Sequence, residues 1–287
     1  MKVFVAKDAG YCFGVRDAVN LAYKTADKYG NVYMLGDIVH NENVVKNLKN
    51  AGTKVVQSLK EIPENKPVLF RAHGTETQVW ENAKEKNMNI IDATCPLVRE
   101  IHDEVSKLEK EGRRIIIIGD HGHDEVIGIA SQVADPIIIE NPEEAKSLRK
   151  MKKAGIVSQS TQTIENVQNI INILMTKVFD LRFVNTICFP TKRNQNQIKE
   201  LADSCDVMLI IGSFTSANSK RLAQLSRVRN SNSHQITCAK DIRSDWFLNA
   251  ESVGISAGAS TPDNLIEEVV EYVTHFGQEK EKEMVYG

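Results

Sequence analysis

The sequence predicts an α/β fold of three similar units, each with a small parallel sheet covered by helices. Two observations favour this fold. Short apolar, β-branched segments alternate with amphipathic helical segments along the 287 residues, a pattern typical of βαβ units. Three sets of motifs also recur along the chain. They fall beyond the carboxyl ends of the expected strands, where parallel sheets bind their ligands.

The first set of motifs places a cysteine between a strand and a helix. Its copies are MKVFVAKDAGYCFGVRDAV, MNIIDATCPLVREIHDEV and LRFVNTICFPTKRNQNQI, with the cysteines Cys12, Cys95 and Cys188. In the second set, an apolar strand breaks at a glycine: Gly36, Gly119 and Gly212 in NVYMLGDIVHNENVV, RRIIIIGDHGHDEVI and DVMLIIGSFTSANSK. Cys95 follows Cys12 by 83 positions and Gly119 follows Gly36 by the same 83, and the next step is 93 positions in both sets. This shared register indicates copies of one unit.

The third set runs from an apolar strand into a small polar loop. Its copies are VLFRAHGTETQV, AGIVSQSTQTIENV and SVGISAGASTPDNL. We therefore expect α/β units over residues 13–95, 96–188 and 189–276, with the N-terminal strand in residues 1–12 completing the third unit and residues 277–287 forming a loose polar tail. Because no flexible linker separates the units, we expect them to form a trefoil around a shared centre.

Composition excludes several classes of protein. With 36 basic and 38 acidic residues, the net charge of -2 offers no global attraction to nucleic acid or an anionic membrane. We see neither a signal peptide nor a run of about 18 apolar residues, so we expect a soluble, cytoplasmic protein. Five cysteines in a reducing compartment argue against a disulfide framework and favour metal ligation, catalysis or simple burial.

The repeated cysteines predict a metal centre. Loops that point towards a pseudo-threefold axis would bring Cys12, Cys95 and Cys188 together, and the following helix N-termini would favour thiolates. Three thiolates can hold zinc with one open position, or a [4Fe–4S] cluster in which one iron has no cysteine ligand. Zinc sites usually contain a closely spaced cysteine pair, which is absent here, so the spacing favours the larger cluster.

Polar side chains near the expected helix starts indicate an anion site, since backbone N–H groups there bind phosphate. The second set supplies His40, His121, His123, Glu125, Ser213, Thr215, Ser216, Asn218 and Ser219, and the third set supplies His73, Thr161 and Ser260. The serines and threonines could instead be simple N-caps. Glu125 is the candidate acid or base, or else a first-turn glutamate that complements the helix dipole. His121, His123 and Glu125 could also form part of a zinc site.

No nucleotide-binding glycine motif is present, so redox chemistry would need electrons from outside. In their order along the chain, the motifs GYCFGV, VHN, AHG, DATCPLV, GHDEVIG, STQT, NTIC, SANSKRL and SAGASTPD resemble those of the 4-hydroxy-3-methylbut-2-enyl diphosphate reductases. These enzymes catalyse the last step of the non-mevalonate isoprenoid pathway. The resemblance covers essentially the whole chain.

The resemblance implies a cofactor and a set of site residues. It implies one [4Fe–4S] cluster per chain, held by Cys12, Cys95 and Cys188. It implies that the substrate diphosphate is bound by residues matching His40, His73, His123, Ser216, Asn218 and Ser260. The proton-relay glutamate of the family matches Glu125, and the hydroxyl near the substrate alcohol matches Thr163.

The implied reaction replaces the allylic hydroxyl of the diphosphate substrate by hydrogen. Two electrons and two protons enter, water leaves, and isopentenyl and dimethylallyl diphosphate are formed. An external electron donor of the flavodoxin or ferredoxin type is implied as partner.

Three positions depart from the family pattern, all in the third unit. Ala217 stands where many relatives have a second serine, Pro190 replaces an alanine, and Asn194 replaces an arginine. Two other functions remain open from the residues alone. One is a zinc-dependent hydrolase that uses His121, His123 and Glu125, and the other is a non-enzymatic iron–sulfur sensor.

Overall fold

Three four-stranded parallel sheets form the framework of the chain. In this computed structural model, residues 1–286 are described, with the side chains of residues 1–278. Each sheet contains four consecutive strands of the repeat, except that the first strand of the chain joins the last three. The α/β class and the parallel sheets predicted from the sequence are confirmed.

The first sheet in chain order lies in residues 32–92. Its strands are β2 (Val32–Leu35), β3 (Thr53–Val56), β4 (Val68–Phe70) and β5 (Ile90–Asp92), in the spatial order β3-β2-β4-β5. The helices of this part of the chain are α1 (Phe13–Tyr29), α2 (Glu42–Asn50) and α3 (Thr77–Glu85). β4 is apolar and fully buried, as expected for a strand inside a parallel sheet.

The second sheet lies in residues 114–183. Its strands are β6 (Arg114–Ile118), β7 (Ile137–Ile139), β8 (Met151–Ser158) and β9 (Val178–Phe183), in the order β7-β6-β8-β9. The helices here are α4 (Pro96–Lys110), α5 (Asp124–Ala130), α6 (Pro142–Ser147) and α7 (Ile164–Leu174). The four isoleucines of β6 are all buried and follow the exposed Arg114, which makes this strand the middle of a core.

The third sheet combines the two ends of the chain. β1 (Lys2–Val5) pairs with β12 (Ser252–Ala257), so that Lys2 lies opposite Ser252. The other strands are β10 (Val207–Ile211) and β11 (Ser233–Ile236), and the order is β1-β12-β10-β11. The helices are α8 (Phe189–Ser204), α9 (Ala217–Arg229) and α10 (Asp263–Tyr286). The three sheets therefore share one strand order, which confirms the repeat.

By compactness the chain divides into two units. The first contains residues 1–13, 40–42 and 189 onward, and it carries the third sheet. The second contains residues 14–39 and 43–188, and it carries the other two sheets. The threefold division at residues 95 and 188 stays a prediction.

The expected loose tail over residues 277–287 is wrong for the described part of the chain. Helix α10 continues to Tyr286, and Gly287 lies outside the described residues. The tail sequence QEKEKEMVY is polar, but it consists largely of good helix formers and contains no proline. Because this segment has no apolar period, its sequence pattern does not reveal the helix. Among residues 1–286, no helix is long and apolar enough to cross a membrane.

A substitution at Phe70 in β4 tests the core packing beneath the AHG loop, residues 72–74, which follows this strand. Its ring is fully buried and lies edge-on to Trp80 at 4.9 Å between ring centroids. We expect Phe70→Ala to lower the free energy of unfolding by about 3–5 kcal/mol, because it leaves a cavity in the core. Chemical denaturation followed by circular dichroism measures the change. Phe179→Ala is the matched control, since that ring is 91% exposed. Equal effects of the two substitutions would contradict this packing.

Candidate active site

Each repeated cysteine lies immediately before a helix, at the carboxyl edge of its sheet. Cys12 precedes α1, Cys95 precedes α4 and Cys188 precedes α8. The backbone N–H of each donates to a carbonyl just beyond the neighbouring strand: Cys12 to Ala259 after β12, Cys95 to Ala72 after β4, and Cys188 to Ser160 after β8. The same local structure therefore positions all three cysteines, and all three are half-buried.

Gly14 shows how closely the chain packs against one of these thiols. A Cβ atom built on Gly14 would lie 2.4 Å from the Cys95 Sγ, much closer than real contacts allow. Only glycine therefore permits the start of α1 to approach Cys95. This explains the second glycine of the motif GYCFGV, Gly14, which lies two positions after Cys12.

Glu125 lies in the first turn of α5 and is 2% exposed. Its Oε1 accepts a hydrogen bond from the Ser160 backbone N–H at 2.6 Å, and its Oε2 accepts from the Ser160 hydroxyl at 2.8 Å. The carbonyl of Ser160 in turn accepts from the Cys188 N–H at 3.0 Å. Ser160 thus connects Glu125, the candidate acid or base, with Cys188, a candidate metal ligand.

His123 and His73 are brought together. Their rings meet edge to face with 5.7 Å between centroids. His123 is also the N-cap of α5, because its Nδ1 accepts from the Glu125 backbone N–H at 3.1 Å. An Nδ1 that accepts carries no proton, so in the neutral ring Nε2 holds it and acts as a donor. A donor at a helix N-terminus is suited to an anion.

Thr163 is the N-cap of α7. Its Oγ1 accepts a hydrogen bond from the Asn166 backbone N–H at 3.2 Å. This contact uses an oxygen lone pair, so the hydroxyl proton can still be donated to a ligand. The structure therefore supports the simple N-cap interpretation without excluding the predicted contact to a substrate alcohol.

In the unit that carries the third sheet, Ser260 and His40 are brought together. The Ser260 hydroxyl donates to the backbone carbonyl of His40 at 3.1 Å. Ser216 lies in the same unit and is the N-cap of α9, where its hydroxyl accepts from the Ser219 N–H at 3.3 Å. Ser216 and Ser260 are 5% and 7% exposed, so both of these hydroxyl residues are buried, whereas His40 is half-buried.

Two buried polar atoms at the start of α9 point to a ligand. The Asn218 Nδ2 and the Ser219 Oγ have no hydrogen-bond partner among residues 1–278. Asn218 is 6% exposed and Ser219 is fully buried. Buried polar atoms of this kind are rare and need a partner such as an ion or water. At a helix N-terminus, an amide donor without a protein partner suits an anionic oxygen.

Ser213 and Thr215, also expected as anion ligands, bind a carboxylate instead. Both hydroxyls donate to the Glu42 Oε1, at 2.7 and 3.3 Å. The pKa of Glu42 lies below its ordinary value. Burial raises this pKa, but the hydrogen bonds from Ser213, the Glu42 backbone and Thr215, together with nearby His40, lower it by more. Glu42 was not identified from the sequence, because it is 171 residues from Ser213 along the chain.

The zinc-hydrolase set of His121, His123 and Glu125 is not assembled. The His121 ring is exposed and its Nε2 lies 2.8 Å from the Glu144 Oε2, in a group with Glu140. His123 and Glu125 are engaged with the α5 backbone and with Ser160, as described above. The alternating spacing in the sequence suggested one site, but the loop before α5 directs His121 towards α6.

Comparison with known proteins identifies the relatives of this chain. The LytB protein family matches residues 3–274. A 4-hydroxy-3-methylbut-2-enyl diphosphate reductase from Geobacter sulfurreducens is 38% identical over 281 residues, which cover 98% of this chain and 99% of the relative. The enzyme of the same name from Geobacter metallireducens is also 38% identical over 281 residues, with the same coverage.

Two solved structures are similar to this fold. One is the E-1-hydroxy-2-methyl-but-2-enyl-4-diphosphate reductase from Plasmodium falciparum, with a TM-score of 0.92, 29% identity, and coverage of 95% of this chain and 88% of the other. The other is (E)-4-hydroxy-3-methyl-but-2-enyl diphosphate reductase, the terminal enzyme of the non-mevalonate pathway. Its TM-score is 0.70 and its identity 36%, and it covers 96% of this chain and 100% of the other.

His102 lies behind the AHG loop and was not singled out from the sequence. Cβ atoms built on Gly74 and Gly128 would lie 3.1 and 3.5 Å from its Nε2, so both glycines pack against the ring. Gly74 has φ +87, a left-handed conformation that favours glycine. Burial lowers the pKa of His102, although Asp103 and Asp92 oppose the change.

The lowered pKa of His102 predicts a pH-dependent stability. Below its ordinary value of 6.5, the unfolded chain binds the proton that the folded chain does not. The free energy of unfolding should therefore fall as the pH falls below about 6.5, and His102→Asn should remove part of this slope. Denaturation of both proteins between about pH 7.5 and 5.5 measures it. Parallel pH profiles would show that His102 does not contribute.

Proposed function

Because the chain belongs to the LytB protein family, we propose that it reduces (E)-4-hydroxy-3-methylbut-2-enyl diphosphate to isopentenyl and dimethylallyl diphosphate. The substrate takes up two electrons and two protons, its allylic C–O bond breaks and water leaves. The observation that carries the proposal is the identical setting of the three cysteines. Each cysteine follows the equivalent edge strand of its own sheet, precedes a helix and donates its N–H to a carbonyl just beyond the neighbouring strand.

The residues fit an iron–sulfur cluster. Cys12, Cys95 and Cys188 are soft thiolate donors at helix N-termini, which lower the cost of forming thiolates. Gly14 removes the one side-chain atom that would block the Cys95 sulfur. We propose that these three cysteines hold a [4Fe–4S] cluster with one iron free of cysteine. When bound, the cluster would supply the electrons and a Lewis-acidic iron for cleavage of the C–O bond.

Buried and helix-terminal donors support binding of the diphosphate. The proposed ligands are His40, His73, His123, Ser216, Asn218 and Ser260. Two observations support this set: Asn218 has a buried amide nitrogen without a protein partner, and the His123 Nε2 is a donor by its tautomer. Neutral and helix-terminal donors offset the diphosphate charge without requiring many lysines or arginines.

Glu125 is the proposed proton relay. Its two oxygens are held by the N–H and hydroxyl of Ser160, so the carboxylate has a defined orientation in a buried site. The Ser160 hydroxyl can take up a proton from water as it donates its own to Oε2, and the protonated Glu125 can then pass a proton towards the substrate. Thr163 is proposed to hydrogen-bond the substrate alcohol with the hydroxyl proton that its N-cap contact leaves available.

The electrons are proposed to come from a separate protein of the flavodoxin or ferredoxin type, since the sequence lacks a nucleotide-binding motif of its own. The cytoplasmic location stays a prediction. The iron–sulfur sensor remains the second candidate function, because it would use the same three cysteines. Its distinguishing property is that it would have no small-molecule diphosphate substrate.

Mössbauer spectroscopy of anaerobically purified, iron-57-labelled protein tests the proposal. We expect a [4Fe–4S] spectrum with one distinct iron whose signal shifts when the hydroxylated allylic diphosphate is added. Cys12→Ser, Cys95→Ser and Cys188→Ser should each lose the cluster and the reductase activity. Turnover with full activity in any of them would refute the ligand set.

Cys238→Ser is the matched control for these variants. Cys238 is half-buried and also precedes a short helix, the 3₁₀ turn Ala239–Asp241, but it has no counterpart in the repeat. It should keep its iron and activity. An unaltered protein whose cluster does not respond to the allylic diphosphate would favour the sensor, and protein with stoichiometric zinc and no iron would refute the cluster.

Glu125→Gln tests the proton relay. The amide keeps the size of the side chain but cannot relay a proton, so we expect kcat to fall by about 10²- to 10⁴-fold while cluster content and diphosphate binding persist. Glu165→Gln is the control, because Glu165 is an exposed glutamate in the first turn of α7. If both variants lose only a little stability and no activity, Glu125 merely complements its helix dipole.

A further inference from the structure

A short loop and one helix meet along a seam inside the unit of residues 14–39 and 43–188. We define the seam as residues 71–75, which follow β4, together with residues 123–128, which are the N-cap and most of α5. It contains the Arg71–Asp124 ion pair, the His73–His123 ring contact, and Gly74 against Gly128, whose built Cβ would lie 3.7 Å from the Gly74 carbonyl carbon. Both histidines proposed to bind diphosphate from this unit therefore lie on the seam.

Arg71 has a defined position on the seam. Its Nη1 lies 2.6 Å from the Asp124 Oδ2, and the two side chains are only 21% and 26% exposed. The guanidinium lies over Gly36, where a Cβ atom would be 2.7 Å from the same Nη1. Gly36 has φ +74, so this position favours glycine for its conformation as well as for the space it leaves.

Asp124 carries a charge that is unfavourable at an anion site. One of its carboxylate oxygens lies within 4.8 Å of a ring nitrogen of His73. It also separates His123 from Glu125 in the sequence. A carboxylate so close to a diphosphate ligand would repel the diphosphate unless a cation offsets it. Among residues 1–278, Arg71 is the cation in a described ion pair with Asp124.

We propose that Arg71 is a positioning residue of the anion site. Arg71 holds Asp124 in place and cancels its negative charge beside His73, so that His73 and His123 can bind a diphosphate. This inference rests on the proposed function, because it takes His73 and His123 as diphosphate ligands. Arg71 acts through Asp124 and need not touch the ligand.

A purely mechanical role of the ion pair makes a different prediction. If the pair only ties the loop to α5, then removing either partner has the same effect and the double variant is no better than the single ones. If Arg71 cancels a harmful charge, then Arg71→Ala is damaging, Asp124→Asn is mild, and the second change rescues the first. The double-mutant cycle therefore separates charge cancellation from simple bracing.

The test is calorimetric titration of the anaerobically purified, cluster-containing protein with inorganic diphosphate. We expect Arg71→Ala to weaken binding about tenfold and Arg71→Lys to retain most of the affinity. Asp124→Asn should bind at least as well as the unaltered protein, and Arg71→Ala combined with Asp124→Asn should return to within about threefold of it. In steady-state reduction, KM should follow these affinities while kcat changes by less than about threefold.

Arg229→Ala with Asp203→Asn provides the matched control. That pair joins α9 to α8 at 2.7 Å and lies in the other unit. Its removal should leave diphosphate binding unchanged, and thermal melts of all variants show that each is folded.

The titration and the activity assay can fail separately. If the unaltered protein binds diphosphate but reduces no substrate, the proposed function fails while the Arg71 inference stands on its binding data. If Arg71→Ala binds normally, if the double variant is not rescued, or if the unaltered protein binds no diphosphate, the inference is overturned.

Discussion

The rest of the site depends on one repeated hydrogen bond, from the N–H of a cysteine to the loop beyond the neighbouring strand. A parallel sheet forces every strand to end at the same edge, and the returning chain must begin a helix there. Cys12, Cys95 and Cys188 occupy that junction in their sheets, with carbonyl partners on Ala259, Ala72 and Ser160. Their backbone positions are therefore set by sheet topology, and each cysteine immediately precedes a helix N-terminus, which favours a thiolate.

The same junction brings Glu125, the proposed acid–base residue, close to a cysteine. Ser160 follows β8 and binds both Glu125 oxygens, while its carbonyl binds the Cys188 N–H. The proposed proton relay and the proposed electron-carrying centre are thus joined through Ser160. The proposed reductive loss of water requires this proximity, since protons and electrons must reach the same substrate.

Two carboxylates near the expected anion sites are bound by other protein groups. Glu42 takes up the hydroxyls of Ser213 and Thr215, and Asp124 is held by Arg71. In both cases a carboxylate near helix-terminal donors has protein partners of its own. The donors that remain, such as the Asn218 amide, are then the ones suited to an anionic ligand.

The sequence by itself determined the α/β class, the parallel repeat, the cysteine junctions and the first-turn place of Glu125. These are local features, because strand and helix periods and the residues between them are read within a short window. Only the tertiary structure decided that Ser213 and Thr215 donate hydrogen bonds to Glu42. It likewise decided that the His121 ring contacts Glu144 and that Arg71 forms an ion pair with Asp124. It also showed α10 running to Tyr286, where polar residues without an apolar period suggested a tail. Partners far apart in the chain leave no periodic signal, since packing between elements chooses them.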